Sequence, residues 1–169
     1  MFQRALQWDA RLTRRLRIAE RPGPLRRAAA FLAHSGDSWF WFAGLAGVWL
    51  LGSTSWKQRA LVMLGSVFVL AVLVLGVKFT VRRSRPAGEW GAIYRATDPH
   101  SFPSGHAARA VLLAVLAWGM GPLWLAVALT VWAPLVALAR VAMGVHYLSD
   151  VVAGGLLGAA MGFGVLLWL

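Results

Sequence analysis

Residues 60–77 read "ALVMLGSVFVLAVLVLGV", a run of eighteen residues without a single charge. Crossing the hydrocarbon core of a bilayer as a helix takes ~20 mostly apolar residues, so this run predicts a transmembrane helix. Four more apolar blocks occupy most of the remaining chain: 25–51, 104–118, 122–139 and 147–169. Because backbone polar groups in lipid must be hydrogen-bonded within the protein, such blocks predict an all-α integral membrane bundle.

Composition and charge limit the kinds of molecule that the chain is expected to bind. The chain is 59% hydrophobic and 14% charged, whereas soluble domains are typically ~45–50% apolar and ~25% charged. The net charge is +11, and residues 1–27 hold eight of the seventeen Lys and Arg residues. This distribution favours an anionic lipid surface or an anionic substrate as the partner, and no nucleic acid. The absence of cysteine excludes disulfides, thiol chemistry and Cys-ligated metals.

The N-terminal segment differs from the rest of the chain. In residues 2–20, apolar side chains alternate with arginines, which predicts a basic amphipathic helix in the membrane interface. A frayed basic tail is the alternative. The sequence "RPGP" at 21–24 ends the segment, because proline and glycine break helices. We therefore expect an interfacial helix in 1–23 and a transmembrane domain in 24–169.

The number of membrane crossings depends on the first apolar block. The sequence "HSGDS" at 34–38 interrupts 25–51, so that block is either one kinked span or two short helices. The chain therefore has five transmembrane helices, or six if 25–51 folds as a hairpin. In both arrangements the polar loops 78–103 and 140–146 lie on the same membrane face. With five spans the N-terminus shares that face, and with six it lies across the membrane.

Two polar motifs belong to the region between the second and third blocks. In "KFTVRRSRP", Lys78 and Arg85 are seven residues apart, so both point the same way if the helix persists. In "PSGH", at 103–106, Ser104 suits a helix N-cap. Gly105 leaves room for backbone N–H groups to face an anion.

A third motif follows the fourth apolar block. The sequence "RVAMGVHYLSD" contains Arg140, and it places His146 and Asp150 at i and i+4, where their side chains can touch. The cations and amide donors of the three motifs match a phosphate group. Of the two motif histidines, one could attack phosphorus while the other protonates the leaving oxygen. Asp150 would hold the attacking imidazole in the correct tautomer.

This pattern resembles the type 2 phosphatidic acid phosphatase (PAP2) superfamily, whose motifs are Lys-x6-Arg-Pro, Pro-Ser-Gly-His and Ser-Arg-x5-His-x3-Asp. The chain carries all three in order within residues 78–155, whereas residues 1–50 match no motif. Its one departure is Ala139, where the family usually has Ser. The departure removes a possible hydroxyl donor and slightly weakens the expected grip on phosphate.

The resemblance implies a role for each matching residue. His146 attacks phosphorus to form a phosphohistidine, Asp150 supports it, and His106 is the general acid for the leaving group. Water then cleaves the phosphoenzyme, and neither a metal nor another cofactor is required. Five residues hold the phosphoryl oxygens: Lys78, Arg85, Ser104, Gly105 and Arg140.

The same resemblance implies a lipid phosphatase and leaves several substrates open. The candidates are a polyprenyl or undecaprenyl (di)phosphate, phosphatidylglycerophosphate and phosphatidic acid. Short loops and small size are typical of a bacterial protein, which places the chain in an inner membrane as a multi-pass protein. The distribution of Lys and Arg favours a cytoplasmic N-terminal side, whereas many bacterial relatives work on the outer face, so the side that carries the site stays open.

Two other function classes compete with this one. A transporter or proton-conducting bundle also uses intramembrane His, Asp and Arg, but it requires them at mid-bilayer depth in several spans. Here they cluster at the ends of blocks, which favours the enzyme. A soluble haloperoxidase shares the pocket motifs, but the apolar blocks argue against it.

Several residues outside the motifs carry weaker expectations. We interpret His34, which lies in "HSGDS" with Asp37, as a turn or interface residue rather than a catalyst. Arg83 either contacts a lipid head group or marks membrane orientation, and Arg109 either approaches the substrate or extends to the interface. Three glycines at four-residue spacing predict close helix packing on one face: Gly154, Gly158 and Gly162.

Overall fold

The computed structural model describes residues 2–88, 90 and 98–169. Part of the predicted polar loop, residues 89 and 91–97, lies outside the described residues. The described chain folds into seven helices: α1 Phe2–Leu16, α2 Pro24–Ser35, α3 Ser38–Leu51, α4 Thr54–Val81, α5 Gly105–Met120, α6 Leu123–Ala142 and α7 Leu148–Trp168. The predicted all-α class is confirmed.

Three of these helices are long and apolar enough to cross a membrane: α4, α6 and α7. Helices α3 and α5 are apolar but shorter, as expected for the block that begins near Ser104. Large apolar side chains on α4 and α6 point outward and are exposed: Leu61, Phe68, Leu75, Val131 and Leu138. An outer surface of this kind belongs in lipid, so the predicted membrane bundle is confirmed.

Helices α2 and α3 run along the bundle one after the other, separated by a break at residues 36–37. Ala33 of α2 packs with Ala139, near the end of α6. Leu51, the last residue of α3, lines a cavity with Trp124, near the start of α6. The pair therefore runs from one end of α6 to the other, which favours a kinked span over a hairpin. The number of membrane crossings stays a prediction, and these contacts favour five.

The central contact of the bundle joins α5 and α7. Gly154, Gly158 and Gly162 are buried on α7; the first two face backbone atoms at the start of α5, and Gly162 faces the side chain of Val115. A Cβ atom at Gly158 would lie 2.0 Å from the carbonyl oxygen of Ala108, and one at Gly154 would lie 2.3 Å from that of Ser104. The predicted glycine packing is confirmed. Because the contact begins at the first turn of α5, it fixes that turn against α7.

The N-terminal helix α1 lies against the start of α7. The backbone N–H of Leu148 donates to Thr13 Oγ1 at 3.1 Å, and that of Ser149 donates to Asp9 Oδ1 at 3.1 Å. On another side of α1, Trp8 is exposed. The segment is therefore a helix anchored to the bundle rather than a frayed tail. Its position in the membrane interface, and the domain boundary at residue 23, stay predictions.

Candidate active site

The three sequence motifs meet at one end of the bundle. The end of α4, the start of α5, the end of α6 and the start of α7 converge there, because successive helices run antiparallel. All eight predicted site residues lie at this end: Lys78, Arg85, Ser104, Gly105, His106, Arg140, His146 and Asp150. Six of the eight are buried, and Gly105 and His106 are partly buried.

Lys78 and Arg85 form a cationic cradle around one carboxylate. Lys78 Nζ donates to Asp98 Oδ2, and Arg85 Nη2 donates to the same oxygen at 2.8 Å. The expected helical register between the two cations is wrong, because α4 ends at Val81. Arg82 adopts a left-handed conformation with φ 52°, so Arg85 reaches the site from an irregular segment.

Asp98 lies at the site, and none of the sequence motifs includes it. Burial raises the pKa of the Asp98 carboxyl, but the hydrogen bond and charge of Lys78 and the charge of Arg85 outweigh burial and hold it below its usual value. Asp98 is therefore an anion bound to Lys78 and Arg85, the cations that are expected to bind phosphate. A signal in the sequence was its place three residues before Ser101, in the short stretch leading into "PSGH".

His146 lies on the loop between α6 and α7, with its two ring nitrogens in different environments. Nδ1 is 2.7 Å from the carbonyl oxygen of Ser101, so this nitrogen carries the proton. Arg85 Nη1 donates a long hydrogen bond of 3.4 Å to Nε2, so the lone pair of Nε2 is directed toward the cationic cradle. This lone pair is the one that a nucleophilic imidazole uses.

Asp150 is adjacent to His146 but is not its hydrogen-bond partner. Asp150 Oδ2 is 3.7 Å from His146 Nδ1, which is beyond hydrogen-bond length. Its two oxygens have other donors: the backbone N–H of Tyr147 at 2.8 Å and Arg83 Nη1 at 2.7 Å. Asp150 therefore caps α7 and acts on His146 through its charge, while Ser101 sets the tautomer.

The environment of His146 favours the neutral ring. The pKa of His146 is lowered to about 4: burial is the main cause, the charges of Arg140 and Arg85 add to it, and Asp150 opposes them. At neutral pH the imidazole is therefore unprotonated. A neutral imidazole in a cationic pocket is the state required to attack a phosphoryl group.

His106 has a carboxylate partner from the break between α2 and α3. His106 Nε2 lies 2.7 Å from Asp37 Oδ1, and His34 Nδ1 lies 3.1 Å from Asp37 Oδ2. The interpretation of His34 as a turn or interface residue stays a prediction, whereas no sequence motif assigned a role to Asp37. Asp37 belongs to the wall of the site, 69 residues before the histidine that it contacts.

Two further contacts fix the first turn of α5 and the break beside it. Ser104 Oγ accepts a hydrogen bond from the backbone N–H of Ala107 at 3.4 Å, which confirms the predicted N-cap. Arg109 donates to the carbonyl oxygen of Gly36 and to Ser38 Oγ. Arg109 lines the cavity at the site, and its guanidinium is bound to the α2–α3 break rather than extended to the interface.

Arg83 is partly buried, and its guanidinium is bound within the protein, a role that neither expectation for it included. It donates to Asp150 Oδ1 at 2.7 Å, to Ser149 Oγ at 2.6 Å and to Asp9 Oδ2 at 2.7 Å. Its guanidinium also stacks 4.0 Å from the ring centre of Tyr147. Arg83 therefore links the N-terminal helix to the acidic residue beside His146.

Residues 59–169 match the family model of the PAP2 superfamily. The chain belongs to the PAP2 superfamily. The matched region contains all three motifs and the four helices α4 to α7, except for the first five residues of α4. As a PAP2 protein with a lipid-facing exterior, the chain is a membrane phosphatase.

Named PAP2 relatives support this class. The chain is 36% identical over 149 residues to decaprenylphosphoryl-5-phosphoribose phosphatase of Mycobacterium tuberculosis, which covers 86% of this chain and 80% of the relative. It is 31% identical over 138 residues to undecaprenyl-diphosphatase of Sulfolobus acidocaldarius, with 79% and 65% covered. A crystal structure of a PAP2-type phosphatidylglycerolphosphate phosphatase from Bacillus subtilis superposes with a TM-score of 0.77 and 25% identity, over 97% of this chain and 85% of the other.

Two cavities flank α4 in this PAP2 fold. A cavity of about 190 Å³ at the site is lined by Lys78, Asp98, His106 and the apolar face of α4. A cavity of about 730 Å³ lies between α3, α4 and α6, toward the opposite end of the bundle. The α4 residues that line the two follow one helix face: Trp56, Ala60, Met63, Val67, Leu70 and Val74.

Proposed function

We propose that the chain removes a phosphate group from a polyprenyl phosphate or diphosphate, through a phosphohistidine at His146 and without a metal. The observation that carries the proposal is the position of the neutral His146 ring, with Nε2 directed toward the cationic cradle of Lys78 and Arg85. The clustering of ionisable groups at one end of the bundle supports an enzyme over a transporter. Among the described residues, no group of three His, Asp or Glu side chains converges as a metal site.

The chemistry follows from the two histidines. The lone pair of His146 Nε2 forms a bond to phosphorus while the bond from phosphorus to the leaving oxygen breaks. His106 gives its proton to that oxygen. Water then attacks phosphorus and breaks the P–N bond, returning a proton to His106 and releasing phosphate. Lys78, Arg85 and Arg140 stabilise the charge that develops on the phosphoryl oxygens.

A single long tail fits the apolar surfaces beside the site. The face of α4 that starts at Lys78 continues through apolar residues into the cavity between α3, α4 and α6. Two of the relatives named above, those matched by sequence, are named for a decaprenyl and an undecaprenyl compound. Both observations support a polyprenyl substrate over a two-chain phospholipid. The basic α1 suits a membrane with anionic lipids, and we place the protein in a bacterial inner membrane.

The proposal is tested with purified protein in detergent. Phosphate release is measured from prenyl mono- and diphosphates of increasing length, and from phosphatidic acid and phosphatidylglycerophosphate. The His146→Asn variant removes the nucleophile and should reduce release to background. The His100→Asn variant is the matched control, because His100 packs on the ring of Phe79 and is not part of the cavity lining.

A second measurement traps the intermediate. Labelled substrate quenched under alkaline conditions should leave acid-labile label on wild-type protein and none on His146→Asn. Release from phosphatidic acid exceeding release from every prenyl ester would overturn the substrate class. Release that survives in His146→Asn would overturn the mechanism.

A further inference from the structure

The break between α2 and α3 places an acidic side chain where helix capping does not explain it. Asp37 is the residue before α3 and occupies the N-cap position, yet its side chain makes no capping hydrogen bond. An aspartate at this position ordinarily accepts a backbone N–H bond and stabilises its helix by ~1 kcal/mol. Here both carboxylate oxygens face imidazole rings instead.

The contact with His106 is the stronger of the two. Asp37 Oδ1 lies 2.7 Å from His106 Nε2, a length typical of a charge-assisted hydrogen bond. The other oxygen is held 3.1 Å from His34 Nδ1. With both oxygens engaged, the carboxylate has a fixed orientation, and so does the His106 ring.

The surroundings of His106 explain what a carboxylate contributes there. Burial, above all, and the positive charges of Arg140 and Arg109 oppose protonation of the His106 ring, whereas the hydrogen bond and the charge of Asp37 favour it. A general acid must carry a proton when the substrate binds. Among these effects, Asp37 is the one that acts toward the protonated ring, and its carboxylate lies 2.7 Å from Nε2.

Contacts on both sides of Asp37 hold the α2–α3 break close to His106. Arg109 is buried and donates to Gly36 O and Ser38 Oγ, the residues on either side of Asp37. A Cβ atom at Gly36 would lie 3.1 Å from His106 Cδ2 and 3.0 Å from Val136 Cγ1. A larger residue at Gly36 would therefore push the break away from α5.

We propose that Asp37 is a positioning residue for the general acid: its carboxylate accepts from His106 Nε2, orients the ring and favours its protonated form, so that the proton on Nδ1 is the one that reaches the leaving oxygen. The inference rests on the proposed function and adds a residue from outside the three motifs. It predicts that Asp37 matters most when the leaving group needs a proton. A leaving alkoxide needs one, whereas a leaving phosphate ester is stable as an anion.

The test compares two substrates that share a tail. Farnesyl monophosphate releases an alcohol, and farnesyl diphosphate, cleaved at its terminal phosphate, releases farnesyl monophosphate. For Asp37→Asn we expect kcat/KM to fall ~100-fold with the monophosphate, in the range typical of lost acid catalysis. The loss with the diphosphate should be at least ~10-fold smaller, and His106→Asn should show the same selectivity. Asp37→Glu should recover part of the activity with the monophosphate.

The ratio of the two rates in one preparation is the readout, since it does not depend on the fraction of folded protein. Ser38→Ala removes the hydrogen bond that Arg109 donates to the α2–α3 break, and it is the control for a general loss of order there. This variant should change both rates by the same factor. If Asp37→Asn changes both rates equally, or neither, the inference is wrong. If wild-type protein hydrolyses neither ester while remaining folded, the proposed function fails instead.

Discussion

The close contact between α5 and α7 makes Gly158→Ala an informative perturbation. The added Cβ atom would lie 2.0 Å from the carbonyl oxygen of Ala108 and 3.1 Å from its Cα. Contacts to real Cβ atoms essentially never fall below 3.0 Å, and neither backbone can rotate away as a side chain can. The two helices must therefore separate by about 1 Å at this point.

The separation acts directly on the site. Ala108 is two residues after His106, and α7 carries Asp150 in its first turn. A displacement of ~1 Å in a catalytic group can reduce turnover ~100-fold. Overpacking costs ~1–3 kcal/mol of stability, and replacing a helical glycine by alanine returns ~1 kcal/mol. We therefore expect a large loss of kcat with at most about 2 kcal/mol of lost stability.

The assay pairs phosphate release with thermal unfolding in the same detergent. Gly155→Ala is the matched control, because its Cβ atom would lie 3.6 Å from Val111 Cγ2, an ordinary contact. The control should keep wild-type activity. If Gly158→Ala keeps activity within ~3-fold and unfolds at the wild-type temperature, the spacing of the two helices does not control the site.

Three other predictions follow from the polar contacts. Asp98→Asn removes the anion held by Lys78, so inorganic phosphate should inhibit ~10-fold more strongly, and an unchanged inhibition constant would contradict this. Because burial holds the pKa of His146 at about 4, its ring should be neutral at about pH 5.5, where an ordinary histidine is mostly charged. Nitrogen-15 spectra compared with His146→Asn measure this, and an imidazolium signal would refute it. Asp9→Asn removes one acidic partner of Arg83 and should lower the melting temperature by ~2–4 °C, and an unchanged value would show that the contact is not stabilising.

Patterns that act over a few residues predicted much of the fold. The uncharged run at 60–77 predicted the core of α4, and the four-residue glycine spacing predicted the face of α7 that meets α5. Ser104 was identifiable as an N-cap because capping depends only on the next three residues. The motif spacing likewise identified Lys78 and His146.

The features of the site that the sequence did not predict depend on contacts between segments that are distant along the chain. Asp37 meets His106 across 69 residues, and Asp98 meets Lys78 across 20. The sequence marks Asp37 as a polar interruption of an apolar block, which is equally typical of a simple turn. The end of α4 was also missed, because Arg82 is not a residue that ordinarily adopts the left-handed conformation.

The bond between the N-terminal helix and α7 has a practical consequence for work with this protein. Asp9 contacts Ser149 and Arg83, and Arg83 in turn contacts Asp150. A shortened variant that lacks α1 would lose the Asp9–Arg83 salt bridge, and Arg83 would keep Asp150 as its acidic partner. Shortened variants of this protein should therefore begin before α1 if the surroundings of Asp150 are to stay intact.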